Sequence, residues 1–269
     1  MRTAITYTEH FMLTDRRAFI TAVGVLATGV SQGSETAAQT GAKGGKRIKA
    51  VVFDGFPIID PRPVAARAEM VFPGKGEALT NAWRTRQFEY TWLRTLSGSY
   101  ADFWQTTQEA LVFAATSLGL PMTAAARDAL MHTYLELKAW DDARPALEAL
   151  RGAGIRIAFL SNFTAAMLDA AVENSGLQGF FGSHLTTDRV RAFKPDHRAY
   201  EMGLRAFRAR REEIVFCAAA GWDAAGAKSF GYPTFWVNRT RQPAEELGVK
   251  ADAEGTSLAD LVRFVLANA

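Results

Sequence analysis

The sequence predicts an α/β fold, in which a parallel sheet is flanked by helices and a block of helices is inserted after the first strand. Three observations indicate this fold. A short apolar, β-branched run ends at Asp54-Gly55, as a buried strand does. Residues 61–138 show helical spacing without a strand pattern, and strands alternate with helices from about residue 139 onward. Such alternation is typical of parallel sheets with helices on both faces.

The predicted elements follow one another in a simple order. The first strand covers residues 49–53, and the inserted block contains helices at 77–96, 100–118 and 123–137, separated by turns that contain glycine or proline. The alternating part consists of helix 144–153, strand 155–160, helices 165–175 and 197–207, strand 213–218, helix 222–230, strand 233–238 and helix 257–266. We therefore predict a core of residues 47–60 plus 139–269, covered at the carboxyl edge of its sheet by a helical cap of residues 61–138.

The composition is that of a globular protein, with 48% hydrophobic and 22% charged residues among 269, which excludes a disordered or collagen-like chain. The net charge is +3, but residues 1–46 contribute +2 and the rest only +1. The charge of the predicted fold therefore does not indicate a nucleic-acid partner. Cys217 is the single cysteine, which excludes an intrachain disulfide and any multi-cysteine zinc or redox site.

Residues 1–46 have the features of an export signal. Arg16-Arg17 precede an uncharged run from Ala18 to Val30, which is shorter than the roughly 20 residues that a membrane span needs. Small residues follow, with Ala37 and Ala38 in the expected cleavage region. The arginine pair resembles the twin-arginine (Tat) type, so we expect export to the periplasm and removal of this segment. The alternative, an amphipathic first helix, is disfavoured by two glycines in the run and by the lack of a polar face.

Polar side chains collect where the predicted strands end. Asp54 follows the first strand, Ser161-Asn162 follow the second, Lys194 lies in a loop before a helix, and Asp223 lies in the loop after strand 213–218. Taken singly, each residue is explained as a helix cap or a solvated loop residue. Because ligands of parallel sheets bind outside the carboxyl ends of the strands, we expect these residues to lie together. Two carboxylates, a cation and hydrogen-bond donors suit covalent catalysis by a carboxylate.

The same residues carry a family resemblance. The order Phe53-Asp54, Leu160-Ser161-Asn162, Lys194-Pro195-Asp196 and Trp222-Asp223-Ala224-Ala225-Gly226-Ala227 resembles the haloacid dehalogenase superfamily, and within it the type II (S)-2-haloacid dehalogenases. Matching residues also occur at 83–94, Phe103, Tyr200, 221–234 and 236–239. The resemblance implies a Rossmann-like parallel core with an inserted cap, hydrolytic dehalogenation of short 2-haloalkanoic acids, no cofactor and a homodimer.

The resemblance also implies the roles of five catalytic residues. Asp54 would be the nucleophile that displaces halide from C2 of the substrate and forms an ester. Arg84, in the cap, would bind the substrate and the departing halide, since a guanidinium suits both anions. Ser161 would donate a hydrogen bond, Lys194 would hold Asp54 ionised through its opposite charge, and Asp223 would position or deprotonate the water that splits the ester.

A second set of residues is implied to bind the substrate. Four aromatic side chains would form an apolar wall around the alkyl part of the acid, and two polar residues would complete the set: Phe56, Phe88, Phe103, Trp222, Asn162 and Tyr200. The alternative for the aromatic residues is simple packing in the core.

The residue at position 56 distinguishes this chain from the phosphatases of the superfamily that it resembles. Those enzymes place a second Asp two residues after the nucleophile, where this chain has Phe56. Magnesium prefers several oxygen ligands, and the four histidines His10, His132, His184 and His197 form no ligand pair in the sequence. We therefore expect no metal and no cofactor.

Two segments depart from the family pattern. The nucleophile loop usually reads Asp-x-Tyr-Gly-Thr-Leu, but residues 54–60 here lack the threonine and place Ile58 at its position. The strand before Asp223 usually ends Ser-Ser-Asn-x-Trp-Asp, whereas this chain has Ala218 and Ala220 in place of a serine and the asparagine. With three polar groups lost, we expect hydrolysis of the ester to be the slower half of the reaction.

The departures leave two further functions open. One is hydrolysis of another small acid by the same aspartyl-ester route. The other is a non-catalytic exported protein that binds an acid through Arg84, Ser161 and Asn162. Retention of Asp54, Lys194 and Asp223 together favours catalysis.

Overall fold

The computed structural model describes residues 48–269 and contains six strands. They are β1 (Ala50–Phe53), β2 (Arg156–Ser161), β3 (Leu185–Thr186), β4 (Ile214–Ala218), β5 (Thr234–Val237) and β6 (Ala253–Gly255). The strands form one sheet in the order β3-β2-β1-β4-β5-β6, and every neighbouring pair is parallel. The predicted parallel α/β fold is confirmed, while the predicted leader, residues 1–46, lies outside the described part of the chain.

Ten α-helices follow β1 in this part of the chain. They are α1 (Gly55–Ile58), α2 (Arg62–Val71), α3 (Gly76–Leu96), α4 (Phe103–Ser117), α5 (Ala124–Glu136), α6 (Ala143–Gly152), α7 (Ala165–Asn174), α8 (His197–Phe207), α9 (Gly221–Phe230) and α10 (Leu258–Leu266). The eight predicted helices are confirmed to within three residues at each end. Within residues 48–269, none of the helices is both long enough and apolar enough to cross a bilayer.

Four elements differ from the sequence-based predictions. Residues Gly55–Ile58 form a helical turn where a loop is predicted, because the Asp54 side chain accepts a hydrogen bond from the Phe56 N–H and caps that turn. The helix α2 is not predicted as a separate element. The strands β3 and β6 have only two and three residues, so they carry no readable periodicity and form by pairing with β2 and β5.

The sheet has an apolar core on each face, as alternation along β1 shows. Val51 and Phe53 are fully buried in a cluster that also contains Trp83 of α3, whereas Ala50 and Val52 belong to the cluster on the other face. Neighbouring residues of a strand point to opposite faces of the sheet. One face therefore shares its core with the inserted helices, which fixes their position relative to the carboxyl ends of the strands.

Backbone contacts hold the two ends of the helical insertion together. Ile59 and Ala139 form an antiparallel bridge, and the Trp140 N–H donates to the Ile58 carbonyl at 2.9 Å. The helix α5 also contacts α7 of the core, where Asn174 Nδ2 donates to the Leu135 carbonyl at 2.8 Å. The described residues belong to one compact unit, and the division at residues 60/61 and 138/139 stays a prediction.

Candidate active site

The carboxyl ends of β1 and β2 bring Asp54 and Ser161 together. The two strands are paired in parallel with Phe53 opposite Phe159, so the residues that follow lie at the same edge of the sheet. The Ser161 hydroxyl donates to Asp54 Oδ1 at 3.4 Å, and it accepts from the Phe163 N–H at 3.2 Å. The Asp54 side chain keeps 14% of its surface exposed, so this carboxylate remains accessible.

Lys194 joins the two predicted carboxylates. Its ammonium lies 2.7 Å from Asp54 Oδ1 and 2.5 Å from Asp223 Oδ2. The Lys194 side chain is 1% exposed, and its backbone N–H donates to Asn162 Oδ1 at 3.1 Å, which positions the loop. Asp223 lies in the first turn of α9, which begins at Gly221, one residue before the predicted start of that helix. A buried ammonium therefore serves both carboxylates.

Tyr200 contacts Asp223 and is not among the walls of the cleft beside Asp54. It projects from α8, is fully buried, and donates from its hydroxyl to Asp223 Oδ1 at 2.7 Å. Its ring packs against Phe216 of β4 and Phe230 of α9. The sequence-based expectation that Tyr200 contacts substrate therefore has no support in its position, since the residue acts on Asp223 instead.

The charges of this cluster depend on one another. Burial raises the pKa of the Asp223 carboxyl to about 6, with the charge of Asp54 acting in the same direction and Lys194 and Tyr200 acting against it. Burial by itself would lower the pKa of the Lys194 ammonium, but Asp223 and Asp54 outweigh burial and raise it. Burial also raises the pKa of Tyr200 well above its usual value, so this hydroxyl remains a hydrogen-bond donor.

A small cleft, of about 20 Å³, opens beside Asp54. Its walls include eight residues expected from the sequence, namely Asp54, Phe56, Arg84, Phe88, Phe103, Ser161, Asn162 and Trp222. Phe163, Ala219 and Ala220 also line it. Phe163 was missed, although it follows Ser161-Asn162 directly and packs against Phe56 with ring centres 5.1 Å apart. Phe103 is 1% exposed and belongs as much to the core as to the cleft.

Cap and core both contribute donors to the cleft. Arg84 projects from α3, has no carboxylate partner within residues 48–269, and lies with its guanidinium carbon 5.8 Å from the Phe88 ring centre. The Trp222 ring contacts Phe88 at 5.1 Å between centres. The indole N–H of Trp222 is buried and has no partner among the described residues, so Trp222 offers a donor as well as the predicted apolar face.

Comparison with known proteins identifies the family. A model of the haloacid dehalogenase-like hydrolases matches residues 24–231 of the chain. An (S)-2-haloacid dehalogenase of Pseudomonas sp. (strain YL) is 39% identical over 218 residues, which are 81% of this chain and 94% of that relative. The chain belongs to the haloacid dehalogenase-like hydrolase family.

Solved structures of this hydrolase family share the fold. The crystal structure of an L-2-haloacid dehalogenase has a TM-score of 0.80 and 42% identity, and it covers 82% of this chain and 99% of that one. An L-2-haloacid dehalogenase from Xanthobacter autotrophicus with chloropropionic acid covalently bound has a TM-score of 0.75 and 34% identity. That alignment covers 82% of this hydrolase and all of the Xanthobacter chain.

The three departures from the family pattern take different positions in this hydrolase. Ala220 lines the cleft and precedes α9 without a side-chain cap. Ala218 is fully buried at the end of β4 and is not a cleft wall, and Ile58 is buried in α1. The residue whose missing polar group borders the cleft is therefore Ala220, next to Ala219, which the sequence analysis did not single out.

Phe56 is an apolar residue that also has apolar neighbours. Phe56 lines the cleft and packs against Phe163. Within residues 48–269, no three His, Cys, Asp or Glu side chains are grouped as metal ligands would be. The donors that this hydrolase presents at the cleft are a guanidinium, a hydroxyl, an amide and an indole N–H, all of which suit an organic anion.

Proposed function

We propose that this protein hydrolyses the carbon–halogen bond of short 2-haloalkanoic acids through an ester on Asp54. The observation that carries the proposal is the shared ammonium: Lys194 pairs with the accessible carboxylate of Asp54 and with the buried carboxylate of Asp223. Such a pair supplies a nucleophile and a base in one charge cluster. The relatives named as (S)-2-haloacid dehalogenases support the same reaction.

In the first half, Asp54 attacks C2 of the acid. Lys194 and Ser161 contact Oδ1, whereas Oδ2 accepts one hydrogen bond, from the Phe56 N–H at 3.4 Å. We assign Oδ2 to form the new carbon–oxygen bond while the carbon–halogen bond breaks. Arg84 and the unpartnered indole N–H of Trp222 offer donors to the substrate anion and the departing halide. The products of this half are a halide ion and a neutral ester on Asp54.

In the second half, water attacks the carboxyl carbon of Asp54 and Asp223 takes a proton from that water. The bond between this carboxyl carbon and Oδ2 then breaks, and the 2-hydroxy acid leaves with Oδ2 and with the proton that Asp223 returns. In the free protein, the negative charge of Asp54 raises the pKa of Asp223. Formation of the ester removes that charge. Asp223 is therefore more readily ionised in the ester, when the reaction needs it as a base.

Two alternatives follow from the residues that are missing. The same ester route serves another small acid if the cleft, with Ala219 and Ala220 in its wall, accepts a different group. The second alternative is a non-catalytic protein that binds an acid through Arg84. Such binding does not require the buried cluster of Lys194, Asp54 and Asp223. Burying charges costs several kcal/mol per ion unless they are paired well, so the cluster favours catalysis.

The direct test is halide release by the purified mature protein. The substrates are the two enantiomers of 2-chloropropionate and the haloacetates, each with and without EDTA. We expect halide release from (S)-2-chloropropionate that EDTA does not reduce, because Phe56 stands where the phosphatases keep an acid. Metal-dependent release of phosphate from a generic ester that outpaces dehalogenation would reverse this assignment.

We also propose that the protein is exported to the periplasm by a twin-arginine signal. Arg16-Arg17 and the short apolar run after them support this. N-terminal sequencing of exported protein is expected to begin near residue 40, and replacing both arginines with lysine is expected to retain the protein in the cytoplasm. An exported chain that still begins near Met1 would contradict the proposal.

We further propose that the mature protein is a homodimer without a membrane partner. The family resemblance suggests the dimer, and exposed apolar side chains on α3 and α4 support it: Leu93, Leu96, Val112 and Phe113 are 56%, 85%, 42% and 41% exposed. Sedimentation analysis tests the proposal. Leu96→Asp is expected to shift the protein to monomer, whereas a wild-type monomer at micromolar concentration would contradict it.

A further inference from the structure

A second cavity, of about 270 Å³, lies next to the catalytic cleft and shares its walls Phe56 and Arg84. The remaining walls come from α2, α3, α5, the segment after the insertion and the segment after β5, and they include Val64, Ala65, Trp83, Tyr134 and Trp140. Ligand sites typically occupy about 300–1,000 Å³, and the second cavity is close to the lower end of that range. The catalytic cleft, of about 20 Å³, is much smaller and is walled by five aromatic rings, so a bulky group on C2 needs the second cavity.

The aromatic walls of the second cavity satisfy their polar groups within the protein. The indole N–H groups of Trp83 and Trp140 donate to backbone carbonyl oxygens at 2.7 and 3.1 Å. The Tyr134 hydroxyl accepts from the buried amide of Gln87 at 3.4 Å. The two indole donors are therefore satisfied, and Trp83 and Trp140 present carbon surface to the cavity, which favours an apolar occupant.

Two of the three arginines at the cavity are paired with carboxylates. Arg62 pairs with Asp60 at 2.6 Å, and Arg239 pairs with Asp142 at 2.7 Å. Their guanidinium carbons lie 4.6 and 4.5 Å from the centre of the Trp140 ring, which holds that ring in place. Apart from Arg84, which is a wall of both spaces, the described walls of the second cavity therefore offer no unpaired cation for a second carboxylate.

We propose that the second cavity binds an apolar substituent on C2 of the substrate, so that the substrates include 2-haloacids with an aryl or longer alkyl group. The inference rests on the proposed dehalogenation. The halogenated carbon would lie at Asp54 and the single carboxylate near Arg84, and the substituent would pass Phe56 toward Trp83, Tyr134 and Trp140. Val64 and Ala65 of α2 would set the length that fits.

The test compares bromide release from substrates that differ only in the C2 substituent. They are 2-bromopropanoate, 2-bromohexanoate and 2-bromo-3-phenylpropanoate. Removal of apolar surface from water favours binding by roughly 0.8 kcal/mol per methylene, or about fourfold. We expect kcat/KM for the two larger acids to equal or exceed that for 2-bromopropanoate. A value at least about a hundredfold lower for both would overturn the proposal.

Substitutions at two neighbouring residues of α2 test whether the second cavity determines kcat/KM for the larger substrates. Ala65 is a wall of the cavity and exposed, so Ala65→Trp fills the cavity without disturbing the core. We expect it to lower kcat/KM for 2-bromo-3-phenylpropanoate at least about tenfold more than for 2-bromopropanoate. Ala66 is exposed and is not a wall, and Ala66→Trp is expected to change neither value. Equal losses for both substrates with Ala65→Trp would mark the cavity as an access route and overturn the proposal.

A binding measurement separates this inference from the proposed reaction. Failure of every bromoacid to release bromide contradicts the dehalogenase assignment. Calorimetry with 2-hydroxy-3-phenylpropanoate and lactate then tests the cavity itself. Tighter binding of the phenyl compound, weakened by Ala65→Trp and unchanged by Ala66→Trp, supports the subsite without turnover. Equal affinity for the two hydroxy acids would overturn it.

Discussion

The ammonium of Lys194 lies 2.5 Å from Asp223 Oδ2, and both side chains are almost completely buried. The same ammonium lies 2.7 Å from Asp54, so two carboxylates share one cation. The negative charge of Asp54 raises the pKa of the Asp223 carboxyl. The central consequence is that esterification of Asp54 alters the acidity of Asp223.

Neutralising Asp54 by mutation is expected to reproduce that effect. Asp54→Asn removes the charge that raises the pKa of Asp223, so the pKa of Asp223 is expected to fall below its value of about 6. Carbon-13 NMR of labelled aspartate carboxyl groups measures this pKa directly. Asp169→Asn, which changes an exposed carboxylate on α7, serves as the control and should leave it unchanged. An unchanged or higher pKa in Asp54→Asn would contradict the coupling.

Removing the Tyr200 hydroxyl is expected to act in the opposite direction. Its hydrogen bond to Asp223 Oδ1, at 2.7 Å, lowers the pKa of that carboxyl. Tyr200→Phe should therefore raise the pKa of Asp223 and move the acid limb of ester hydrolysis to higher pH, because Asp223 must be ionised to accept a proton. Ester decay in single-turnover experiments over pH 5–9 measures the shift. A merely structural role for Tyr200 predicts a lower rate with no movement of the limb.

Loss of the shared cation is expected to destabilise the fold. Lys194→Met leaves two carboxylates without their partner in a buried site, which typically costs about 3–5 kcal/mol of the free energy of unfolding. Lys228→Met breaks an ion pair with Asp252, in which both side chains are about one-third exposed, and should cost about 0–1 kcal/mol. Urea unfolding at pH 7.5 compares the two variants. Equal losses would show that the buried cluster contributes no more than a surface pair.

A restored amide at the cleft is expected to speed the second half of the reaction. Ala220 lines the cleft and stands where the family pattern has asparagine. Without that amide, the ester on Asp54 should accumulate and be visible by intact-protein mass spectrometry after rapid quenching. Ala220→Asn should speed its decay about tenfold, the effect of one positioning hydrogen bond worth about 1.4 kcal/mol. Ala244→Asn, at an exposed position outside the cleft, should leave the decay unchanged.

Much of the fold was predictable because its longer elements repeat a pattern. The helix at His197–Phe207 begins at a proline-flanked Asp196 cap and presents one apolar face, and its predicted bounds are those of α8. The elements that were missed have no such pattern. Gly55–Ile58 contains glycine and proline and depends on the Asp54 cap, while Leu185–Thr186 is defined only by its pairing with β2.

The sequence predicts which residues form the site, but not the ion pairs and hydrogen bonds that join them. Strand ends placed Asp54, Ser161 and Asp223 at one edge of the sheet. That Lys194 serves both carboxylates, and that Tyr200 stands behind Asp223, follows from how α8 and α9 pack on β4. Sequence spacing carries no information on that packing, because these contacts join residues 23 and 29 positions apart.

The proposed aspartyl-ester route is tested most directly by a single turnover in ¹⁸O-labelled water with protein in excess over a 2-haloacid. Because water attacks the carboxyl carbon of Asp54, the first 2-hydroxy acid should contain no label. The label should appear in the Asp54 side chain, where peptide mass spectrometry locates it. Labelled 2-hydroxy acid in that first turnover, with unlabelled Asp54, would show direct attack of water on C2 and contradict the ester mechanism.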